Sequence, residues 1–233
     1  MKKLLAILLV ATFSIAASSM ARAADDQEKL DGRLDAARSV VDAIMSVPDK
    51  AVPDGIARRA TCIAVVPGVV KGAFIVGAEY GQGVVTCRTH HGWSGPVFIR
   101  LAGGSFGFQI GGQGTDLVLV AVNDKGFQDL LHDRFKIGAD AAAAAGPVGR
   151  NAQAATDIRM RAELLTWSRS HGVFAGIDLN GVSVSQNTAD TDELYGSAHR
   201  FDAVLHGEVP PPPQSERFLE AIRQYFGDAE MQR

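Results

Sequence analysis

The chain has 233 residues, 46% of them hydrophobic and 21% charged, with a formal net charge of −3. That length suffices for one domain with a substantial core, and the acidic balance argues against nucleic acid, whose binders carry a basic footprint. Two cysteines, Cys62 and Cys87, without CxxC spacing or a nearby HxxxH offer no fourfold metal ligand set, and no cofactor motif replaces it.

Residues 1–23 read as a secretory leader. Lys2 and Lys3 precede an apolar run from Leu4 to Ala17, and Ala21-Arg22-Ala23 supplies a small-x-small cleavage signature. Loss of Lys2, Lys3 and Arg22 would take the net charge from −3 to −6. No later apolar run is long enough to span a bilayer, so the expected location is periplasmic or secreted, with membrane association open. In an oxidising compartment an even cysteine count predicts a disulfide between Cys62 and Cys87.

Leu30, Leu34, Ala37, Val41 and Ile44 recur at helical spacing and predict an amphipathic helix within residues 24–47, ending before Pro48. Such a stripe serves either a core or a membrane surface, and its lack of Trp and Phe favours the core. Pro53 to Ala60 adds a helical turn or two carrying Arg58 and Arg59. These arginines read either as a basic patch, which Lys71 joins if a tight Pro67-Gly68 turn folds it back beside them, or as a solvated face pairing with Asp54.

From Thr61 the runs CIAVV, GAFIVGAEY, GVVTCR, WSGPVFIRL, SFGFQI and TDLVLVAV, cut by Gly81-Gln82-Gly83 and by His91-Gly92, predict an antiparallel meander. In a plain meander the strands of Cys62 and Cys87 flank the strand around Ile75, about 9.6 Å apart and beyond bridging distance. The disulfide then requires the Cys62 strand to leave that place, for instance across a curved sheet. Asn123-Asp124 caps a helix through Leu131, KIGADAAAAAGPVGRN is ambiguous between helix and loop, and Ile158 to Leu164 alternates as a strand. VFAGIDL and VSVS continue the strands. Pro210 to Pro213 form an extended spacer before a helix that shares Phe218, Leu219, Ile222 and Phe226 on one face. The expected fold is α+β, a single domain with a curved antiparallel sheet or barrel-like core flanked by N-terminal and C-terminal helices.

Catalytic motifs are weak. Gly103-Gly104-Ser105-Phe106-Gly107 matches G-x-S-x-G, but Phe106, Phe108 and Ile110 alternate with Ser105, Gly107, Gln109 and Gly111 as in a continuing strand, not a nucleophile elbow. Glycines alternating this way leave a flat face for a protein element or a ligand. His90 and His91 read as solvated turn residues. Asp116 suits capping or accepting backbone N–H groups better than general-base work, having no second titratable group near it. Residues 144–151, AAGPVGRN, could form an anion-binding nest or a tight turn with a surface Arg150.

The blocks VPGVVKGAFIVGAEYGQGVV, WSGPVFI, GGSFGFQIGGQGTDLVLV, AAGPVGRNAQA, TWSRSHGVFAGIDLNG and ELYG, in order between Val47 and Gly196, resemble the SYLF family of lipid-binding domains. The resemblance implies a non-enzymatic module over residues 48–196, with 197–233 as a C-terminal extension. It implies binding of acidic phospholipid, phosphoinositides in eukaryotic members, with actin filaments a further partner of some yeast relatives. It places Lys71 on the family's basic position, with Arg58 and Arg59 just ahead as further lipid-binding candidates. In a bacterial envelope the lipid would be phosphatidylglycerol, cardiolipin or lipopolysaccharide. The alternative is a structural or protein-interaction domain of the envelope with a protein partner.

Overall fold

The computed structural model describes residues 25–73, 76–106, 113–148, 162–170, 173–174 and 179–227; the expected leader and the glycines Gly107 and Gly111 lie outside them. Helix α1 spans residues 25–45, where the spacing predicts it, and Leu30, Leu34, Ala37, Val41 and Ile44 are all buried. Its apolar stripe is therefore core. Burying each such Leu, Val or Ile contributes about 1.5–3 kcal/mol. A short helix α2, Asp54–Ala57, follows and buries Ile56 and Ala57.

The strands are β1 Cys62–Ala73, β2 Val76–Thr89, β3 Gly92–Trp93, β4 Val97–Phe106, β5 Gln113–Ala121, β6 Arg134–Lys136, β7 Ala143–Ala145, β8 Leu164–Ser170, β9 Val173–Phe174 and β10 Ser183–Gln186. They form one sheet in the order β6-β10-β4-β2-β1-β5-β8-β7, with β3 beside β2 and β9 beside β8. Every pairing is antiparallel except β7 with β8, so the expected antiparallel sheet is mixed at one edge. The edge strands β6 and β7 are consecutive in the chain. Ile137 beyond β6 and Ala143 to Ala145 of β7 line one cavity of about 50 Å³ with Leu179, so the sheet curls until its edges approach.

Alternation sorts the central strands into two buried faces. On β1 and β5, Cys62, Ala64, Val66, Leu117, Leu119 and Ala121 join the inner cluster with Phe201, Val204 and Leu205. Ile63, Val65, Val118 and Val120 join the outer cluster with α1 and the C-terminal helix. Burial on both sides explains why these strands read as unbroken aliphatic runs rather than alternating ones.

Two turn expectations are corrected. Gly81-Gln82-Gly83 lies inside β2, and Pro67-Gly68 lies inside β1 as a bulge. Pro67 and Gly68 together oppose Asp116 of β5, since Val66 faces Leu117 and Val69 faces Thr115. Gly68 takes the left-handed φ of 58° that the bulge needs, and a proline is tolerated in a central strand only at such an irregularity. Asp116 fixes the bulge: its Oδ1 accepts the Gly68 N–H at 3.1 Å and its Oδ2 accepts from Arg169 Nη2 at 3.1 Å. Gly81 and Gly83 give the bulged strand room, because a Cβ on Gly83 would stand 2.4 Å from the Val65 carbonyl oxygen.

With β2 unbroken, Cys62 and Cys87 become direct cross-strand partners, and the structure joins them in a disulfide. Arg88 N–H donates to the Thr61 carbonyl at 2.7 Å. That makes the neighbouring Cys62/Cys87 pair the closer, non-hydrogen-bonded kind, with Cα atoms 4.0 Å apart.

The helices close the ends. In α3, Asp124–Leu131, Asn123 Oδ1 caps by accepting the Gly126 N–H at 2.8 Å. Helices α4, Thr188–Tyr195, and α5, Phe201–Leu205, were not expected from the sequence. Helix α6, Glu216–Phe226, buries Phe218, Leu219, Ile222 and Phe226 beside α1, and Arg217 meets Asp35 of α1 at 3.2 Å. The strand expected over 158–164 also shifts: 158–161 lie outside the described residues, Ala162 and Glu163 form a bend, and the strand runs from Leu164. The alanine run at 143–145 is strand, not helix.

Candidate functional site

Among the described residues, helices cover the outer face of the curled sheet over only part of its length. Below the bulge it carries Ile63, Val65, Val84, Phe98 and Val118 under α1 and α6. Above the bulge the register sets a transverse row, Lys136–Ser183–Ala102–Tyr80–Val70–Gly114, one residue from each of β6, β10, β4, β2, β1 and β5. Val70 is 52% and Tyr80 49% exposed, two of the few large hydrophobic side chains left in solvent among the described residues. At strand spacings of 4.7–4.9 Å, Lys136 stands roughly 19 Å from Val70 across the row. A second row beside it is Arg134–Ser185–Arg100–Gln82. The face is thus apolar at its centre and cationic at the β6 edge.

The cations differ in their engagement. Arg100 Nη2 donates to Asn187 Oδ1 at 2.5 Å, Asn187 Nδ2 donates to Asp190, and Asp190 pairs with Arg33 of α1. Arg33 also lies over the Phe98 ring at 4.9 Å. This chain of contacts fastens α1 to the lower boundary of the open face. Arg134 and Lys136 are exposed, and no ion pair reaches either among the described residues. They flank a groove of about 480 Å³ lined also by Gly103, Gly104, Asp140 and Ser183. At the centre of the face, Gln82 Nε2 donates to the Tyr80 hydroxyl at 2.9 Å.

The basic residues expected to cluster do not. Arg58 and Arg59 are exposed just after α2, at the helix-clad end. Lys71 lies on β1 beyond the bulge, because Pro67-Gly68 continues the strand instead of folding it back. Cys62 faces Cys87 and Lys71 faces Glu79, eight residues along β2, or about 26 Å at the usual rise. Glu79, the cross-strand partner of Lys71, is buried. Ser105 sits within β4 opposite Gly77, not on a strand-to-helix turn. His90 and His91 are exposed in the turn between β2 and β3. Of the 144–151 stretch, Arg150 and Asn151 lie outside the described residues, while Gly146 lets the Trp167 ring approach so closely that a Cβ there would fall 2.2 Å from it.

Arg134 and Lys136 were missed in the sequence. Their signal was available but short: Arg134-Phe135-Lys136-Ile137 alternates with a period of two, and Phe135 and Ile137 are buried while the cations are not.

The fold and this face define an α+β domain on a curled sheet with one amphipathic surface left open. The family model described as "Ysc84: Las17-binding protein actin regulator" matches residues 102–225. The rat "SH3 domain-containing YSC84-like protein 1" is 33% identical over 180 residues, covering 76% of this chain and 53% of the relative. The human protein of that name is 32% identical over 177 residues, covering 75% and 52%. "Protein YSC84" of Saccharomyces cerevisiae is 27% identical over 178 residues, covering 75% and 38%. The chain belongs to the Ysc84 (SYLF) family. It spans about half the length of the mammalian relatives it matches.

Several shared blocks have visible structural work. In WSGP, the Ser94 hydroxyl accepts the Cys87 N–H at 3.0 Å, and Trp93 Nε1 donates to the Gly227 carbonyl at 2.8 Å, tying the tail to the disulfide hairpin. In ELYG, the Tyr195 hydroxyl donates to the Pro96 carbonyl at 3.1 Å, and burial pushes its pKa well above the ordinary phenol value, so it remains a donor. Gly196 closes α4 with φ 67°.

Proposed function

We propose that the protein is a non-catalytic, membrane-associating module of the cell envelope that binds anionic phospholipid through the open half of its outer sheet face. The observation that carries this reading is the row from Lys136 to Val70, which puts exposed Tyr80 and Val70 on the same face as the exposed cations of its β6 edge. Apolar residues with cations at their margin suit a bilayer of negative surface potential, where each Lys or Arg contributes about 1 kcal/mol. Lys71, next to Val70 on β1 and paired in register with Glu79, lies outside the row but stays in the proposal as a cation at that end of the strand. Arg58 and Arg59 precede Cys62, which is itself about 26 Å from Lys71 along the strand pair, so they lie beyond the Debye length of roughly 8–10 Å from that end and contribute little to its contact. A buried disulfide supports an oxidising compartment, periplasmic or exterior.

A protein partner is the second reading. It is favoured by the family description and by the yeast relative "LAS seventeen-binding protein 3", both of which name a protein that is bound. Co-sedimentation of the purified protein with phosphatidylglycerol, cardiolipin and phosphatidylcholine vesicles separates the two. Lipid binding is expected on the first two vesicle types, weakening as salt rises. No sedimentation with any vesicle would leave the protein-partner reading.

A further inference from the structure

We propose that Arg134, Lys136 and Ser183 form a phosphate-binding subsite at the β6 edge, and that its ligand is the phosphate of an anionic lipid headgroup. This rests on the membrane-associating reading and adds where the headgroup is held. The two cations lie two residues apart on one side of β6, about 6.8 Å along the strand, while Phe135 between them turns into the inner core. Register puts the Ser183 hydroxyl beside Lys136 and that of Ser185 beside Arg134, so neutral donors stand next to each charge. The groove lining includes Gly104 of β4, on the same side of the strand as Ala102, where the missing side chain lets a tetrahedral anion approach the backbone.

One acid, Asp140, meets the two cations in the groove. It accepts the Lys136 backbone N–H through Oδ2 at 2.7 Å. Asp133 lines a separate cleft with His199, Asp202 and His206. In a chain of net negative charge, this edge is therefore locally positive. Continuity with Ala102, Tyr80 and Val70 along the same row gives the subsite a lipid source: a headgroup held at Lys136 leaves the rest of the lipid surface against the apolar centre.

The test uses a charge-matched pair of variants. R134Q/K136Q and R58Q/R59Q remove the same charge at exposed positions, one pair on the β6 edge and the other just after α2, and circular dichroism melting checks that both fold. On vesicles of three parts phosphatidylglycerol to seven of phosphatidylcholine, R134Q/K136Q should bind roughly 30-fold more weakly than wild type, and R58Q/R59Q within about twofold. Equal losses in the two variants would reduce the effect to overall charge and overturn the subsite, as would wild-type binding by R134Q/K136Q. Failure of wild type to bind any vesicle would instead remove the membrane reading. An NMR titration with sodium phosphate then decides the subsite by itself. Shifts at the Lys136 and Ser183 amides that vanish in R134Q/K136Q would support the anion site with a soluble phosphate as its source, and no shifts would overturn it.

Discussion

Gly83 illustrates how one residue type carries different information in different settings. Beside Gln82 and Gly81 it reads as a turn, because glycine is the commonest way to reverse a chain. In the fold it answers a demand from the next strand, where the Pro67-Gly68 bulge pushes Val65 and Val66 against β2. Gly83→Ala is expected to lower stability by about 1–3 kcal/mol through overpacking against the Val65 carbonyl, seen as a lower urea midpoint. An unchanged midpoint would show that the bulge yields without cost. Asp116 was read correctly at this scale: a carboxylate with no titratable neighbour in sequence is better suited to backbone N–H groups than to catalysis, and Gly68 supplies such a group. Arg58, Arg59 and Lys71 were misplaced as a patch for the same reason as Gly83. Placing them together depended on reading Pro67-Gly68 as a reversal, and sequence does not distinguish a bulge from a turn.

Elements with a long periodic signal were legible. Helix α1 repeats its apolar residues over about four turns, α6 concentrates Phe218, Leu219, Ile222 and Phe226 on one face, and α3 is announced by the Asn123 cap. Helices α4 and α5 were not, because TADTDELY buries only Thr191 and Leu194 and FDAVL is too short to show a period. Strand β7 was hidden by alanine, whose helix propensity is overridden here by pairing with β8. The disulfide was legible from compartment and cysteine count, but its geometry required knowing that β2 is unbroken. Reduction of Cys62–Cys87, whose residues are 25 apart in sequence, should cost about 2–4 kcal/mol through the freed denatured chain. Thermal melts with and without reductant, and of Cys62→Ser/Cys87→Ser, measure it; coincident melts would mean that the hairpin holds β1 and β2 without the bond.

At the scale of the whole molecule, the two ends of the curled sheet are unlike. One is clad by α1 and α6 and joined by the disulfide; the other leaves an amphipathic face in solvent. The expected α+β core was recoverable because β1 and β5 carry the aliphatic runs IAVV and LVLVA. The face was not, since it is assembled from one residue in each of six strands and no local window contains more than a small part of it. Its contact with lipid can be read at its centre. The native tryptophans, Trp93 and Trp167, are buried, so an indole introduced by Tyr80→Trp reports its own surroundings. With phosphatidylglycerol vesicles carrying brominated acyl chains, its emission is expected to shift to the blue and be quenched, with neither change on phosphatidylcholine. Emission that stays solvent-like and unquenched while the protein sediments with the anionic vesicles would place the membrane contact on another surface and contradict the assignment.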